Sequence, residues 1–327
     1  MQLLSRAISY RGNGRAFSAI TSFKAARSCD FICSSFNTEI KTGIALFSVS
    51  CWVKVWEIIH FSVCTTSDLN RFPILGLSCY VSVTGNSIFV TGGYFRDEVV
   101  WYCVDWVLIY NSWENSWMEG PAMRQSRNWH SAVGVGAHLY VLGGSTDEAV
   151  IADVERLPLT NKEWEGMQPM VQPVERAAVV SIGAKIYVLC GLDENGDVYS
   201  GVQRLDVDSD VWDVISFSPV PRYDLCATLL NGAVYVMGGQ TFRLDTDTDE
   251  WTPVDEECLN EKFFSGCATV NGKIFLLGER RGNTSIPNMI LIDPYTDTCQ
   301  VVDTAVPCPL PVRGCVSIRK FIVRSGV

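Results

Sequence analysis

Histidine is scarce in this chain: His60, His130 and His138 are the only three in 327 residues. A catalytic triad or a clustered metal site needs imidazoles that converge with other ligands or nucleophiles, and nothing supplies them here. CxxC pairs are absent, with Cys29 and Cys33 coming nearest, and so are a GxSxG elbow and a Walker loop. The acidic string Asp206, Asp208, Asp210 lacks the glycine and the closing glutamate of a calcium loop, so it reads as a solvated turn. The thirteen cysteines are odd in number and irregularly spaced, unlike a secreted disulfide framework. Cys226 and Cys267, at matching places in two hairpins, suggest reduced, buried thiols of an intracellular protein. No enzyme, no cofactor and no metal are expected.

Basic charge is also in short supply, with 26 Lys and Arg against 36 Asp and Glu and a net charge of −10. The imbalance is uneven. Up to Thr65 there are 7 basic and 3 acidic residues, and beyond it 19 against 33. An acidic body repels phosphate, which argues against nucleic acid and leaves basic or mixed protein surfaces as partners. Met1 to Cys29 holds Arg6, Arg11, Arg15, Lys24 and Arg27 with no acid, the composition of a mitochondrial transit peptide. It lacks a clear amphipathic stripe, so an unrelated N-terminus on a cytoplasmic protein is the preferred reading. The one apolar run of membrane length, Gly43 to Cys64, contains Lys54 and Glu57. Charges there cost several kcal/mol in a bilayer, which disfavours a span and leaves strands or disorder.

What the chain has in abundance is repetition. SIFVTGG, HLYVLGG, KIYVLCG, AVYVMGG and KIFLLGE place doublets at Gly92-Gly93, Gly143-Gly144, Cys190-Gly191, Gly238-Gly239 and Gly278-Glu279, in steps of 51, 47, 48 and 40 residues. Seven residues before each doublet stands a pair such as Gly85-Asn86 or Asn231-Gly232, which suits the positive φ of a two-residue hairpin. Phe89, Tyr140, Tyr187, Tyr235 and Phe275 sit three residues before the doublets. Apolar residues crowd these strands without clean alternation, as in strands buried between neighbouring sheets. Tyr110, Leu157, Leu205 and Leu244 each precede a tryptophan by seven residues (Trp117, Trp164, Trp212, Trp251), and Ile292 and Cys299 keep the spacing. The tryptophans are expected to pack between units. A period of roughly 40–50 residues built from strands and turns is that of a propeller blade.

With its glycine doublet after an apolar strand and its Tyr-to-Trp spacing, the chain resembles kelch-repeat proteins, most closely the kelch-like family with BTB and BACK domains. The resemblance covers Asn70 to Val327 and departs from the pattern at Cys190, Glu279, Cys299 and the short link from Gly239 to Leu244. It implies an all-β kelch β-propeller with five recognisable blades and a partial sixth, VRGCVSIRKFIV. Residues 1–69 form a non-repeat N-terminal segment, poorly ordered or partly completing the last blade from within Gly43–Cys64, and residues 70–327 the propeller. Closure of the ring is open at this point. Family kelch propellers present target proteins to cullin-RING ubiquitin ligases, with the BTB domain docking the cullin, and nothing before Asn70 resembles BTB or BACK. The resemblance therefore implies a substrate-recognition module for ubiquitylation. Binding actin or another cytoskeletal protein is the alternative, and membrane contact is not expected.

Recognition residues belong on the loops ahead of each blade and after each doublet. The candidates are Arg96, Arg127, Asn128, Trp129, Arg176, Arg222, Tyr223, Arg280 and Arg313, because arginine and aromatics dominate protein interfaces. Tyr94, Phe95, Asp193, Glu194, Asp224, Phe263, Phe264 and Arg281 share these loops. The competing reading is that the arginines brace neighbouring blades through backbone carbonyls.

Overall fold

A computed structural model describes residues 40–48, 51–56, 60–63, 80–85, 87–96, 100–111, 114, 116–160, 163–254, 263–281, 284–294, 298–302 and 312–321. Side chains are described from Tyr80 onward, except at Arg96, Phe263, 278–281, 284–288, Val302 and 312–321. The transit-peptide reading of Met1–Cys29 lies outside these residues. Among the described residues there is no helix.

The paired turn residues do what their chemistry permits. Gly85, Gly136 and Gly183 take φ of 60°, 56° and 57°, and Asn231-Gly232 and Asn271-Gly272 take 52°/80° and 50°/75°. Each closes an antiparallel hairpin whose second strand carries the apolar run. Two more strands complete every sheet. Blade one is Tyr80–Thr84, Ser87–Thr91, Val107–Asn111 and Ser116–Glu119; blade two is Ser131–Val135, His138–Leu142, Val154–Pro158 and Glu165–Met167. Blade three is Ala178–Ile182, Lys185–Leu189, Gly201–Asp206 and Val211–Phe217, and blade four is Cys226–Leu230, Ala233–Gly238, Gln240–Asp245 and Trp251–Val254. Blade five is Phe263–Val270, Lys273–Arg281, Thr284–Asp293 and Thr298–Val302.

A sixth four-stranded sheet joins the two ends of the repeat array. Val312–Phe321 is its inner strand, paired to Ile40–Ser48, which pairs Cys51–Trp56, which pairs His60–Val63. Inner strands touch in the circuit of blades one, two, three, four, five, six and back to one. The ring is closed. Closure removes the two open sheet faces that an incomplete propeller would expose. Thr38–Val327 forms one compact unit.

The interior consists of sandwiches between adjacent blades. Tyr140, Leu142, Ile186, Val188 and Leu205 pack blade two on blade three; Tyr187, Leu189, Val234, Val236 and Leu244 pack three on four; Met237, Leu276 and Ile290 join four to five. The tryptophans of blades two, three and four lock each blade to the preceding one. Trp164 Nε1 donates to Pro121 O (2.9 Å), Trp212 Nε1 to Gln168 O (3.0 Å) and Trp251 Nε1 to Ser216 Oγ (2.9 Å). Toward the axis the sandwiches give way to polar links between inner strands, including Ser181 Oγ to Gly134 O (3.0 Å) and the Thr228–Thr269 hydroxyl pair (2.9 Å).

The doublets mark where the next blade crosses close by. A Cβ on Gly92 would lie 2.4 Å from Arg127 O, and one on Gly143 would lie 2.5 Å from Val174 O. The second member also donates its N–H across the seam, from Gly93 to Arg127 O, Gly144 to Val174 O and Gly191 to Arg222 O. Its φ of 106°, 88° and 110° is glycine territory, whereas the first member sits near +58°, which Cys190 also manages. This explains the Cys-Gly variant. Glu279 departs for another reason: Lys273–Arg281 continues as one strand past that position, with a register shift between Leu277 and Glu279 in place of a turn, and Glu279 faces Phe264 and Ile286.

Two cysteine expectations change, and the acidic string is a turn as expected. Cys226 pairs with Met237 and Cys267 with Leu276, one residue out of phase relative to their doublets, so the first is buried and the second half-buried. Cys103, Cys190, Cys226 and Cys267 are free thiols, but Cys299 is disulfide-bonded, contrary to an all-reduced chain. The Asp206 carboxylate is spent on its own loop, accepting from the Asp208 and Ser209 amides at 3.2 and 3.1 Å. Asp210 accepts from Gln168 N of the neighbouring blade.

Candidate interaction surface

Loops ahead of blades two, three and four share one backbone solution. Trp129, Arg176 and Asp224 each lie two residues before an inner strand, and each adopts a left-handed conformation with φ of 47°, 57° and 55°. Side chains rarely accept that region, so its recurrence at one phase marks a requirement of the ring. The payoff is a hydrogen-bonded lip: Arg176 N donates to Trp129 O (2.8 Å) and Asp224 N to Arg176 O (3.0 Å).

On this lip the side chains form a row that crosses blade boundaries. Trp101 and Tyr94, from the small hairpin Tyr94–Arg96/Trp101–Cys103 of blade one, meet edge to face at 6.3 Å. Tyr94 meets Trp129 of blade two perpendicularly at 5.5 Å. The Arg176 guanidinium of blade three lies 5.5 Å from the Trp129 ring and 4.5 Å from the Tyr223 ring of blade four. Its Nε donates to Asp224 Oδ1 at 2.8 Å, and Nη2 bonds Asp224 Oδ2. The fork is thus used on one carboxylate while its faces are used on two rings. Trp101 and Tyr223 are 43% and 42% exposed, so the row is open to solvent at both ends.

Beneath the row lies a polar layer. Asn128 is fully buried, exchanging backbone hydrogen bonds with Ser145 and sending Nδ2 to Cys103 Sγ (2.8 Å) and Ser145 O (3.2 Å). Ser145 Oγ donates to Glu175, whose carboxyl is pushed up by burial, against the pull of Arg176. Tyr94 is likewise raised, first by burial and then by the nearby Cys103, Glu175 and Asp147. Cys103 is pushed up to about 12 by burial, which makes it a protonated, unreactive thiol. His130 is wholly buried against Thr91 Oγ1 (2.8 Å) and stays neutral, with its pKa lowered to about 3 by desolvation and then by Arg127.

Of the residues expected at the surface, Trp129, Arg176, Arg222 and Tyr223 are there. Arg127 and Asn128 are not. Arg127 is 0% exposed, donating to Gly143 O and Asp153 O (2.9 Å each) and pairing with Glu155 at 2.6 Å. It braces blade two from within and cannot touch a partner. Arg96, Arg280 and Arg313 are placed by backbone alone, and their side chains lie outside the described residues. Arg96 ends the blade-one hairpin opposite Trp101, Arg280 sits far along the blade-five hairpin opposite Ser285, and Arg313 falls inside the inner strand of blade six at a register shift. Trp101 lies on the small blade-one hairpin, off the repeat phases, and Glu175, at the phase of Asn128 and Tyr223, is a carboxylate where arginine and aromatic residues were expected.

Six four-stranded sheets, glycine doublets at the seams and inter-blade tryptophans define a kelch propeller. A family profile described as the KLHDC2/KLHL20/DRC7 Kelch-repeats domain matches residues 60–239, and the chain belongs to that kelch-repeat family. Among curated proteins it is similar to human Kelch-like protein 23, at 29% identity over 246 residues, covering 73% of this chain and 43% of that protein. Kelch-like protein 25 of Xenopus tropicalis is 30% identical over 293 residues, 82% of this chain and 47% of that protein. Mouse Kelch-like protein 35 is 27% identical over 250 residues, 73% and 41%. The chain thus spans less than half the length of these relatives.

Proposed function

We propose that this chain is the target-recognition propeller of a kelch-like ubiquitin-ligase adaptor. Its lip, from Trp101 to Tyr223, contacts the target protein. The observation that carries the reading is the aromatic–guanidinium row itself: four aromatics and one clamped arginine drawn from four blades, joined ring to ring across the seams and solvent-open at its ends. Such residues supply most binding energy at protein interfaces, and a rigid lip loses little entropy when it binds. Cullin docking would fall to a BTB domain in the assembled adaptor, and the setting is cytoplasmic. The propeller binds and performs no reaction of its own.

Proximity labelling in cells tests this by comparing the chain with an Arg222→Ala/Tyr223→Ala variant whose thermal unfolding is unchanged. Loss of a defined set of neighbours, including ubiquitylated proteins, supports the adaptor reading. Loss confined to actin and its associated proteins would move the assignment to the cytoskeleton, and an unchanged set would remove the lip from function.

A further inference from the structure

Away from the lip, we infer that the outer edge of blade three pairs with the same edge of a second copy of this chain, antiparallel and about a two-fold axis. The observation is a strand left unguarded. Val211–Phe217 is the last strand of its sheet, and no strand covers its outer side among the described residues. At seven residues it is the longest of the six outer strands. Phe217 is 64% exposed, more than any other large apolar side chain described, and Val211 and Val214 are exposed with it.

The other blades show what protection looks like. An open sheet edge invites pairing, and proteins blunt it by shortness, charge or proline. Blade two's Glu165–Met167 is only three residues and begins on a glutamate, and blade one's Ser116–Glu119 ends on an exposed one. Blade four's Trp251–Val254 exposes Pro253, which has no N–H to offer. Blade six's His60–Val63 is four residues long, and blade five's Thr298–Val302 exposes Thr298 and Gln300 beside Val301. Blade three's edge has no proline, and its single charge, Asp213, is held by Arg204 at 3.4 Å. A register shift beside Ile215 bends the strand but leaves Val211, Val214 and Phe217 exposed.

Charge decides both the occupant and the direction. The strand is preceded by the acidic turn of residues 206–210, with Asp208 exposed, and followed by residues 218–221, which carry no charge. Antiparallel pairing sets the turn of one copy beside the uncharged end of the other and brings the Val211 end onto the Phe217 end twice over. Parallel pairing would stack two acidic turns, and like charges across an interface repel. The edge is therefore complementary to itself, which is what an isologous two-fold contact requires. A single strand pair falls short of the roughly 1,200–2,000 Å² of a stable interface. The dimer is accordingly reversible, with a dissociation constant on the order of 10–100 μM.

Sedimentation velocity on the full chain across that concentration range tests the pairing, with non-reducing gels to exclude cross-linked species. The parent is expected to pass from monomer to dimer. Val214→Lys/Phe217→Lys should weaken the dimer at least about tenfold, and so should Val211→Glu at the other end of the strand. Melting curves check that the variants stay folded, and two separate substitutions keep the test decisive should one of them unfold. Hydrogen exchange supplies the second readout: amides of residues 211–217 should slow as parent concentration rises and not in the variants. A parent still monomeric at about ten times the upper concentration would overturn the inference and leave the edge to a foreign strand. A dimer indifferent to both variants, or one that leaves residues 211–217 unprotected, would overturn it by placing the contact elsewhere.

Discussion

Blades two and four begin with the same backbone and treat their arginines in opposite ways. Arg127 and Arg222 each stand two residues before the left-handed lip position, and each carbonyl accepts an amide from the doublet of the blade before it. Yet Arg127 is entirely buried and Arg222 is exposed. The difference comes from the third strand. Opposite Val141, two residues ahead of the blade-two doublet, the register places Glu155; opposite Val236, at the same phase of blade four, it places Phe242. Blade two also spends residues 145–153 on a loop that brings Asp153 O over the guanidinium, while blade four passes from Gly239 straight into Gln240–Asp245. Blade three shows a third solution at that phase. Val174 stands at the arginine's phase, and Gln203, opposite Val188, holds the lead-in loop by accepting from Gln172 N (2.8 Å) and donating to Gln172 O (3.0 Å). An arginine in a repeat is therefore buried or displayed according to its cross-strand partner, not its own phase.

The largest expected effect breaks this comparison directly. Arg127→Ala leaves Glu155 buried without its cation and should cost about 3–5 kcal/mol in chemical denaturation. Arg222→Ala should stay within about 0.5 kcal/mol of the parent. Equal losses would mean that the two positions are energetically alike despite their exposure. Arg127→Val with Glu155→Gln transplants the blade-three pair into blade two and should recover more than half of the Arg127→Ala loss. Glutamine's single carbonyl oxygen can still accept one of the Arg124 and Gln125 amides, which Glu155 now holds on its two oxygens at 2.7 and 3.2 Å. Failure of that rescue would show that the charge pair, rather than the capping, stabilises the loop.

Next in size is the seam between blades. Trp212→Ala empties a half-buried packing site and removes the bond to Gln168 O, so a loss of about 3 kcal/mol is expected from denaturant midpoints. Trp212→Phe keeps the ring and should recover most of it.

Between these and the surface lies the pH response of the lip's underside. His130 is lowered from 6.5 to about 3, so the unfolded chain takes up a proton below pH 6.5 that the folded chain refuses until about pH 3. Its stabilising contribution is complete above pH 6.5 and is lost as pH falls through that window, by about 1.4 kcal/mol per unit. Glu175, raised by burial, opposes this slope because protonation favours its folded form. The clean readout is therefore the difference between parent and His130→Gln, which should shrink by about 2 kcal/mol from pH 7 to pH 5. A constant difference would mean that the buried imidazole is not refusing its proton.

Much of this architecture was legible because it repeats. Hairpin pairs, doublets and tryptophans follow from local chemistry that is the same in every blade, so their phase alone placed strands, seams and cross-blade packing. Ring closure was left open: Gly43–Cys64 was a candidate to complete the last blade, but Ile40–Ser48 has no doublet and no Tyr-to-Trp spacing to declare its pairing with Val312–Phe321. The lip was half legible. Its arginines and aromatics were found by phase, but burial of Arg127 depended on Glu155, twenty-eight positions away and readable only once strand register was known. Trp101 joins the row through Tyr94 within the blade-one hairpin, and buried Glu175 underlies it through Ser145 of blade two, contacts that the repeat phase does not declare.

The smallest effect sharpens the contrast between a buried and a displayed ion pair. Arg176 and Asp224 are 23% and 22% exposed at their side chains, against 0% and 5% for Arg127 and Glu155. Water reaches the outer pair, so its removal leaves no stranded charge, and Asp224→Asn should cost no more than about 1 kcal/mol. Arg176→Lys keeps the charge while losing both the fork and the flat face that lies between Trp129 and Tyr223. Stability should again fall by about 1 kcal/mol or less, because the backbone lip through Trp129 O and Asp224 N is untouched. Tyr223, however, loses the group that fixes its ring, so capture of lip-dependent neighbours in proximity labelling should weaken more than stability does. A fall in stability as large as that of Arg127→Ala would show that the lip pair braces the ring and is not a displayed surface.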